Sequence, residues 1–472
     1  MRRRVKELPL TGLAERIRSG GIGSAEATDV YLERIERLDG RLRSFITVTA
    51  EIAREQARAA DEVLARGETL GPLHGLPVAV KDNIDTGGVR TTAGSAFFAA
   101  RVPERDAEVA RRLREAGAVL LGKANLHELA YGGTTQNPHH GLCRNPWNLE
   151  RIPGGSSGGS GAAVAAGLCA AALGTDTGGS VRIPAALNGV SALRPTNGRI
   201  SMRGVFPITW TFDTVGPLAR AVADVALVFS VLPGFDPEDT GSHDRPVDDV
   251  LVQLEQGLEG LRIGVPRSFF FEEVDEDVAR SARAAGELMA ARGADVEEIE
   301  LPGAERAEEA TRRMILAEAY AIHRRRLAEQ PELFGEDVRR RLALGAEVSG
   351  AEYAEHRQWA REWRRTLDRV FERVDLILTP AAGQAAPLAA ESETIETTRR
   401  LTRLTYGWTL AGLPALAVPC GFDGAGLPIG LQLAAAPFRE ATLLRAGAAY
   451  QRETDWHLRQ PALDASERVK VG

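Results

Sequence analysis

Gly154-Gly155-Ser156-Ser157-Gly158-Gly159-Ser160-Gly161 and, after the small-residue run 162–167, Leu173-Gly174-Thr175-Asp176-Thr177-Gly178-Gly179-Ser180-Val181-Arg182-Ile183-Pro184 form the most informative stretch of the chain. Glycines let a backbone approach a ligand closely and adopt positive φ. Successive N–H groups on such a loop converge into a concave anion site. Ser180 ends the second loop just before an expected helix, where the positive end of the helix dipole favours negative charge. That setting suits an oxyanion forming on a carbonyl that the serine attacks. Glycine–serine stretches also serve as flexible linkers, but apolar runs enclose both loops here. A phosphate cradle uses the same N–H groups and stays open on this reading.

A serine nucleophile needs a base, and no histidine stands close to either loop in the sequence. The lysines point elsewhere. Only Lys6, Lys81, Lys123 and Lys470 occur among 58 basic residues, the others all being arginine. A GC-rich genome accounts for that bias. Even so, a chain that writes arginine wherever charge alone is wanted marks its interior lysines as candidates for losing a proton, which arginine cannot do. Lys81 ends the β-like run Leu76-Pro77-Val78-Ala79-Val80 and precedes the turn-rich segment 82–88. To act as a base it must be neutral, and burial lowers a lysine pKa from its ordinary ~10.4. On composition alone, a salt bridge with Asp82 or Asp85 explains it better than a role as base.

Outward from these segments the pattern is α/β. Residues 8–70 read as helical, with Leu13, Ile17, Ala27, Tyr31, Ile35 and Leu38 at helical spacing. An amphipathic helix over 104–116 runs directly into the strand-like Ala118-Val119-Leu120-Leu121, which indicates α/β layering. Further strands are expected at Leu261–Val265, Asp375–Leu378, Ala415–Val418 and Ile429–Leu433, with helices at 278–292 and 438–452. Segment 304–372 is long, rich in Arg and Glu, and helical, in the manner of an insertion that covers or flanks a core. Pro233–Val247 reads as a surface loop in preference to a linker.

The chain has 472 residues, 44% apolar and 26% charged, with a formal net charge of −7. These values exclude a mainly disordered chain and disfavour a dedicated reader of nucleic acid, which is usually basic. Cys143, Cys169 and Cys420 form neither a disulfide framework nor a CxxC metal pair. The basic start lacks the apolar core of a signal peptide, and no run approaches the ~18 apolar residues of a membrane span. The expectation is a cytoplasmic protein with no metal and no cofactor.

Three other motifs fall short of their chemistry. Gly117–Ala124 nearly matches a phosphate-binding loop, but Ala124 offers no hydroxyl to magnesium and the middle is strand-like. Gly154-Gly155-Ser156-Ser157-Gly158 fits G-x-S-x-G, yet Asn145-Pro146-Trp147-Asn148 upstream is a turn where a nucleophile elbow needs a strand. His127-Glu128 and His139-His140 lack metal-ligand spacing and read as ordinary polar or capping residues.

Taken together, Val78-Ala79-Val80-Lys81-Asp82-Asn83, the two glycine–serine loops, Gly117–Asn125, Arg144–Asn148, Leu193–Thr196, Asp213–Pro217, Gly412-Leu413-Pro414 and Gly426–Gln432 resemble the amidase signature family, over about residues 8–460 and least in 240–370. The resemblance implies one large α/β domain over 1–472, with a central mixed β-sheet covered by helices on both faces. Its parts are a helical segment 8–70, a catalytic core 71–235, a variable and largely helical insertion 240–370, and a C-terminal part of the core 371–460. It implies a Ser-Ser-Lys triad with Ser180 as nucleophile, Ser156 as bridging serine on a peptide bond that is usually cis, and Lys81 as terminal base. The N–H groups of Thr177, Gly178, Gly179 and Ser180 would form an oxyanion hole, supported by Asp176 and Arg182. Tyr131, Phe206, Ile208, Trp210 and Trp408 could line a substrate pocket or pack in the core.

The activity implied is hydrolysis of a small-molecule carboxylic amide through an acyl-enzyme. No nucleic acid or membrane is expected as partner, and a homodimer is allowed because family members are often dimeric. Two alternatives stand beside it. One is a non-catalytic binding protein on the same scaffold. The other is the amidase component of a glutamyl-tRNA amidotransferase; that component generally carries an acid before its Ala-Gly-Leu-Pro segment to grip the glutamine amine, whereas Leu401–Leu410 has Thr402 and no acid.

Overall fold

A computed structural model describes residues 2–463, so Lys470 lies outside the described residues. Among these, the strands in chain order are β1 (Phe45–Val48), β2 (Pro77–Lys81), β3 (Val119–Ala124), β4 (Gln136–Asn137), β5 (Gly141–Leu142), β6 (Ala171–Asp176), β7 (Ser191–Arg194), β8 (Thr214–Ala219), β9 (Arg262–Pro266), β10 (Asp295–Ile299), β11 (Leu376–Pro380), β12 (Ala415–Phe422) and β13 (Pro428–Ala435). β4 and β5 make a small hairpin. The other strands form one mixed sheet in the order β1-β3-β2-β6-β8-β7-β12-β13-β11-β9-β10. β2 runs parallel to both β3 and β6, and β9 is parallel to β10 and β11, while the strands between pair antiparallel.

Every residue of β2, β6, β8 and β13 is buried. A strand covered on both faces gains nothing from alternation and reads as a continuous apolar or small run. The cover comes from helices Gly158–Ala165, Arg182–Asn188, Val222–Phe229, Glu276–Ala291 and Glu440–Arg452 on the central strands, with Ser24–Leu42 and Ala50–Ala65 against β3. The result is a single large α/β domain.

Residues 8–70 are not all helix, because Phe45-Ile46-Thr47-Val48 pairs with β3 as an edge strand. Likewise 240–370 is not simply an insertion, since β9 and β10 extend the sheet. Its helices Ala304–Glu329, Glu336–Ala346 and Gly350–Phe371 pack on one another and bury Met314, Leu342, Trp363 and Leu367. Ser349 caps the last of these by accepting from the N–H of Glu352 (3.1 Å), and Glu352 in turn receives Arg313 at 2.5 Å from the neighbouring helix. The 233–247 loop is held to the body where Asp236 accepts from Ser201 (2.7 Å) and Arg203 (2.8 Å), which makes it a surface loop. Among the described residues, no helix is long and apolar enough to cross a membrane.

Candidate active site

Parallel pairing of β2 with β6, Val80 opposite Leu173, brings the carboxyl ends of the two strands together. Ligand sites in α/β sheets gather at such ends. Lys81 closes β2 with its side chain fully buried. Its Nζ lies 2.8 Å from Ser156 Oγ and 2.7 Å from Thr175 Oγ1, and Asn83 Nδ2 donates to the same threonine at 3.2 Å. Neither acid that could have paired with this lysine does so. Asp85 is bound to Arg101 at 2.6 Å, and Asp82 accepts from the N–H and hydroxyl of Thr92 (2.9 and 2.5 Å). Burial pushes the Lys81 amine down to about 7, against the opposing pull of Asp213 and Asp176.

The first glycine–serine loop crosses above this pair. The Gly155–Ser156 peptide bond is cis. A Cβ on Gly159 would collide with the backbone of Asn125 and Ser44, so that position admits only glycine. Ser157 stitches the two loops together: its N–H donates to Ser180 O (3.2 Å) and its hydroxyl to Thr175 O (3.1 Å). This sets the backbone of Ser180 against the residue that follows Ser156. Ser180 itself is half-buried, and its Oγ makes no hydrogen bond among the described residues.

The second loop hangs on Asp176. Its carboxylate accepts from Gly179 N–H (2.8 Å), Val181 N–H (3.3 Å), Arg182 (3.0 Å from both Nε and Nη2) and Arg194 Nη1 (3.0 Å). All three charged side chains are fully buried. Burial alone would raise this carboxyl, but Arg182 and Arg194 outweigh it and hold Asp176 well below the ordinary carboxylate range. Arg182 continues to Gln432 and Thr409, both at 3.1 Å, so distant parts of the chain fix the loop. Gly179 N–H is engaged by Asp176, whereas those of Thr177, Gly178 and Ser180 have no hydrogen-bond partner among the described residues. Gly178 lies against the Tyr406 ring, which an added Cβ would strike. Thr177 donates its hydroxyl to Asp213 at 2.7 Å.

The five aromatic and apolar candidates scatter. Phe206 and Ile208 border the site, donating backbone N–H to Asn83 O and Asp213 Oδ2, both at 2.8 Å. Tyr131 is buried with its hydroxyl unpartnered. Trp210 is 70% exposed and faces solvent. Trp408 is completely buried and stacks on Phe270 with ring centroids 5.0 Å apart, which makes it core packing. Lys123 holds the 84–91 turn through Thr86 (2.9 Å) and Thr91 (3.0 Å), while Gly122-Lys123 lies within β3 and not in a phosphate loop. Thr175, Asn83 and Asp213 belong to the site but were not singled out by the sequence. The available signal was their position, one or two residues from Asp176, Lys81 and Thr214 in segments already marked.

The Amidase family description matches residues 26–444. The chain belongs to the amidase signature family. Among curated relatives, this amidase-signature chain is 44% identical over 485 residues to a component of the glutamyl-tRNA(Gln) amidotransferase of Roseiflexus sp. strain RS-1, covering 97% of this chain and 98% of the relative. Two solved structures of the family superpose closely. One, described as a vestigial protein complex that reveals the origins of an s-triazine catabolic enzyme, has 36% identity and a TM-score of 0.91 over 94% of this chain and 98% of its own. The other is native peptide amidase from Stenotrophomonas maltophilia, with 32% identity and a TM-score of 0.85 over 97% and 99%. The chain is thus an amidase-type enzyme acting on C–N bonds. The relatives' names also correct one expectation from the sequence. A small-molecule substrate alone, with no nucleic acid involved, does not describe proteins that are components of a tRNA-linked amidotransferase.

Proposed function

We propose that the chain cleaves a carboxamide by acyl transfer at Ser180, as the amide-hydrolysing component of an amidotransferase-type assembly. The observation that carries the chemistry is the buried Lys81, whose hydrogen-bonding partners are hydroxyls and not carboxylates. In the proposed first step Ser180 Oγ attacks the amide carbon. Its proton passes to Ser156 as the Ser156 proton passes to neutral Lys81. Thr175 receives one lysine N–H, so the lysine lone pair is left for Ser156. The amides of Thr177, Gly178 and Ser180 receive the oxyanion. Collapse breaks the C–N bond, and the proton returns through Ser156 to the leaving nitrogen. Water then attacks the ester along the same relay, releasing the acid and restoring Ser180. Three buried, unpaired cysteines agree with a cytoplasmic setting.

The setting rests on relatives that match this chain over nearly their whole length. With its partner subunits, the chain is expected to hydrolyse glutamine and amidate Glu-tRNA(Gln). One feature favours a second reading, an amidohydrolase for a different amide: Thr402 is buried and bonded to Thr398 O at 2.8 Å, so no acid meets a substrate ammonium there. Turnover of simple amides without any effect on glutamine, with or without partner subunits, would decide for the second reading.

Both readings share a pH dependence. Protonated Lys81 cannot accept a proton, and its amine sits at about 7. The kcat/KM profile is expected to fall about tenfold per pH unit below that value and to level off above it. A profile that stays flat down to about pH 5 would place the base elsewhere.

A further inference from the structure

The helix Glu336–Ala346, which from sequence belonged to an insertion with no assigned role, is wired to the bridging serine from two sides. His127 donates its backbone N–H to the carbonyl of Ser156 at 3.1 Å. Its ring Nε2 lies 2.6 Å from Asp337 Oδ2, in the first turn of that helix, with the histidine 1% exposed. The other oxygen of Asp337 accepts from Arg341 Nε at 2.9 Å, and Arg341 Nη2 donates to Thr398 Oγ1 at 3.0 Å. Thr398 Oγ1 also accepts from Gly133 N–H at 2.9 Å. Gly133 packs closely against Gly155, where an added Cβ would come within 2.8 Å of the Gly133 carbonyl carbon. Gly155-Ser156 is therefore held between His127 and Gly133, and both are anchored on Asp337, directly or through Arg341 and Thr398. Glu128 adds a second point of attachment, accepting from Gly335 N–H at 2.8 Å while binding Ser95 and His139, both at 2.9 Å. Burial would raise the Asp337 carboxyl, but His127 and Arg341 hold it well below the usual range, so it stays an acceptor for both.

We propose that Asp337 is a positioning residue for Ser156, acting through His127 on one side and Arg341–Thr398–Gly133 on the other. The proposal rests on the Ser-Ser-Lys reading above. It also gives His127 and Glu128 a task beyond ordinary polar packing: they clasp the helical segment to the loop that carries the relay. A displacement of the order of 1 Å at a relay group costs about 100-fold in rate. The effect should therefore appear in kcat, with KM little changed.

The test is a double-mutant cycle on the full chain, using an activated ester such as p-nitrophenyl acetate so that weakened variants remain measurable. Asp337→Ala is expected to lower kcat at least tenfold with KM within about twofold. In the Ser156→Ala background the same change is expected to lower kcat no further, since the group it positions is gone. Thr398→Val removes only the Gly133 branch and should show a smaller loss of the same kind; it serves where Asp337→Ala fails to fold. Full additivity of Asp337→Ala with Ser156→Ala, or an unchanged kcat in both single variants, would overturn the proposal. If Ser156→Ala itself keeps the parent rate, the triad reading fails and not merely the role of Asp337.

Discussion

Lys81→Arg is expected to lose about 1,000-fold in kcat/KM although it keeps the positive charge. General-base catalysis contributes about 10²- to 10⁴-fold, and an arginine, always protonated, cannot supply it. The site is also closed to a charged substitute. Lys81 is fully buried among Ser156, Thr175 and Asn83, with no carboxylate in hydrogen-bond contact, so a permanent cation there would be desolvated and unpaired. Lys81→Met separates the two effects. It should be as inactive as the arginine variant, yet it should fold well, because the native lysine is already held near neutrality. Stability against pH supplies an independent check. The native amine sits at about 7 and the unfolded one at about 10.4. Between those values the unfolded chain binds more protons, so the parent gains stability as pH rises through that window. Below about 7 both states are protonated and the burden of the buried charge is complete; above about 10 it has vanished. The methionine variant should lack this contribution and keep the one that buried Lys123, lowered to about 8, makes in both proteins. An active Lys81→Arg enzyme, or identical stability slopes for parent and Lys81→Met, would remove Lys81 from the role of base.

Much of this site was legible because its residues are chemically unusual for their surroundings. A lysine in an arginine-writing chain and serines set among glycines announce themselves without any knowledge of contacts. The strands carrying them were less visible. β2 reads as a strand in Val-Ala-Val, but β6 is Ala171-Ala172-Leu173-Gly174-Thr175-Asp176, whose small residues give no strand periodicity. Only its burial between β2 and β8 makes it a strand, an example of tertiary context overriding weak local preference. β1 was hidden for the opposite reason, being a short edge strand between two strongly amphipathic helices. The partners of the groups that support the site were beyond sequence reasoning altogether. Arg182 meets Gln432 and Thr409, and His127 meets Asp337, across hundreds of residues of chain that only the folded sheet and its helical cover bring together. Aromatic identity was a poor guide to the pocket for the same reason. Trp408 and Trp210 lie near marked motifs in sequence, yet one is core and the other faces solvent.

Ser180→Ala is expected to reduce turnover by about 10⁴-fold or more, the scale at which loss of a seryl nucleophile leaves only binding and oxyanion stabilisation. It should also abolish covalent labelling by a fluorophosphonate. Its stability should stay close to the parent's, since the half-buried Oγ makes no hydrogen bond that the fold would miss. Ser156→Ala offers the instructive contrast. That hydroxyl is buried and bonded to Lys81, so its loss cuts the relay while leaving the nucleophile and the three free amides in place. Slow fluorophosphonate labelling should therefore survive in Ser156→Ala and disappear in Ser180→Ala. The pair of variants also separates an enzyme from a binding protein on the same scaffold, in which neither serine would react and both changes would leave ligand affinity as the only measurable quantity. Undiminished turnover in Ser180→Ala would end the acyl-enzyme mechanism outright, because no other hydroxyl at the end of β6 both follows the oxyanion amides and precedes the Arg182–Asn188 helix.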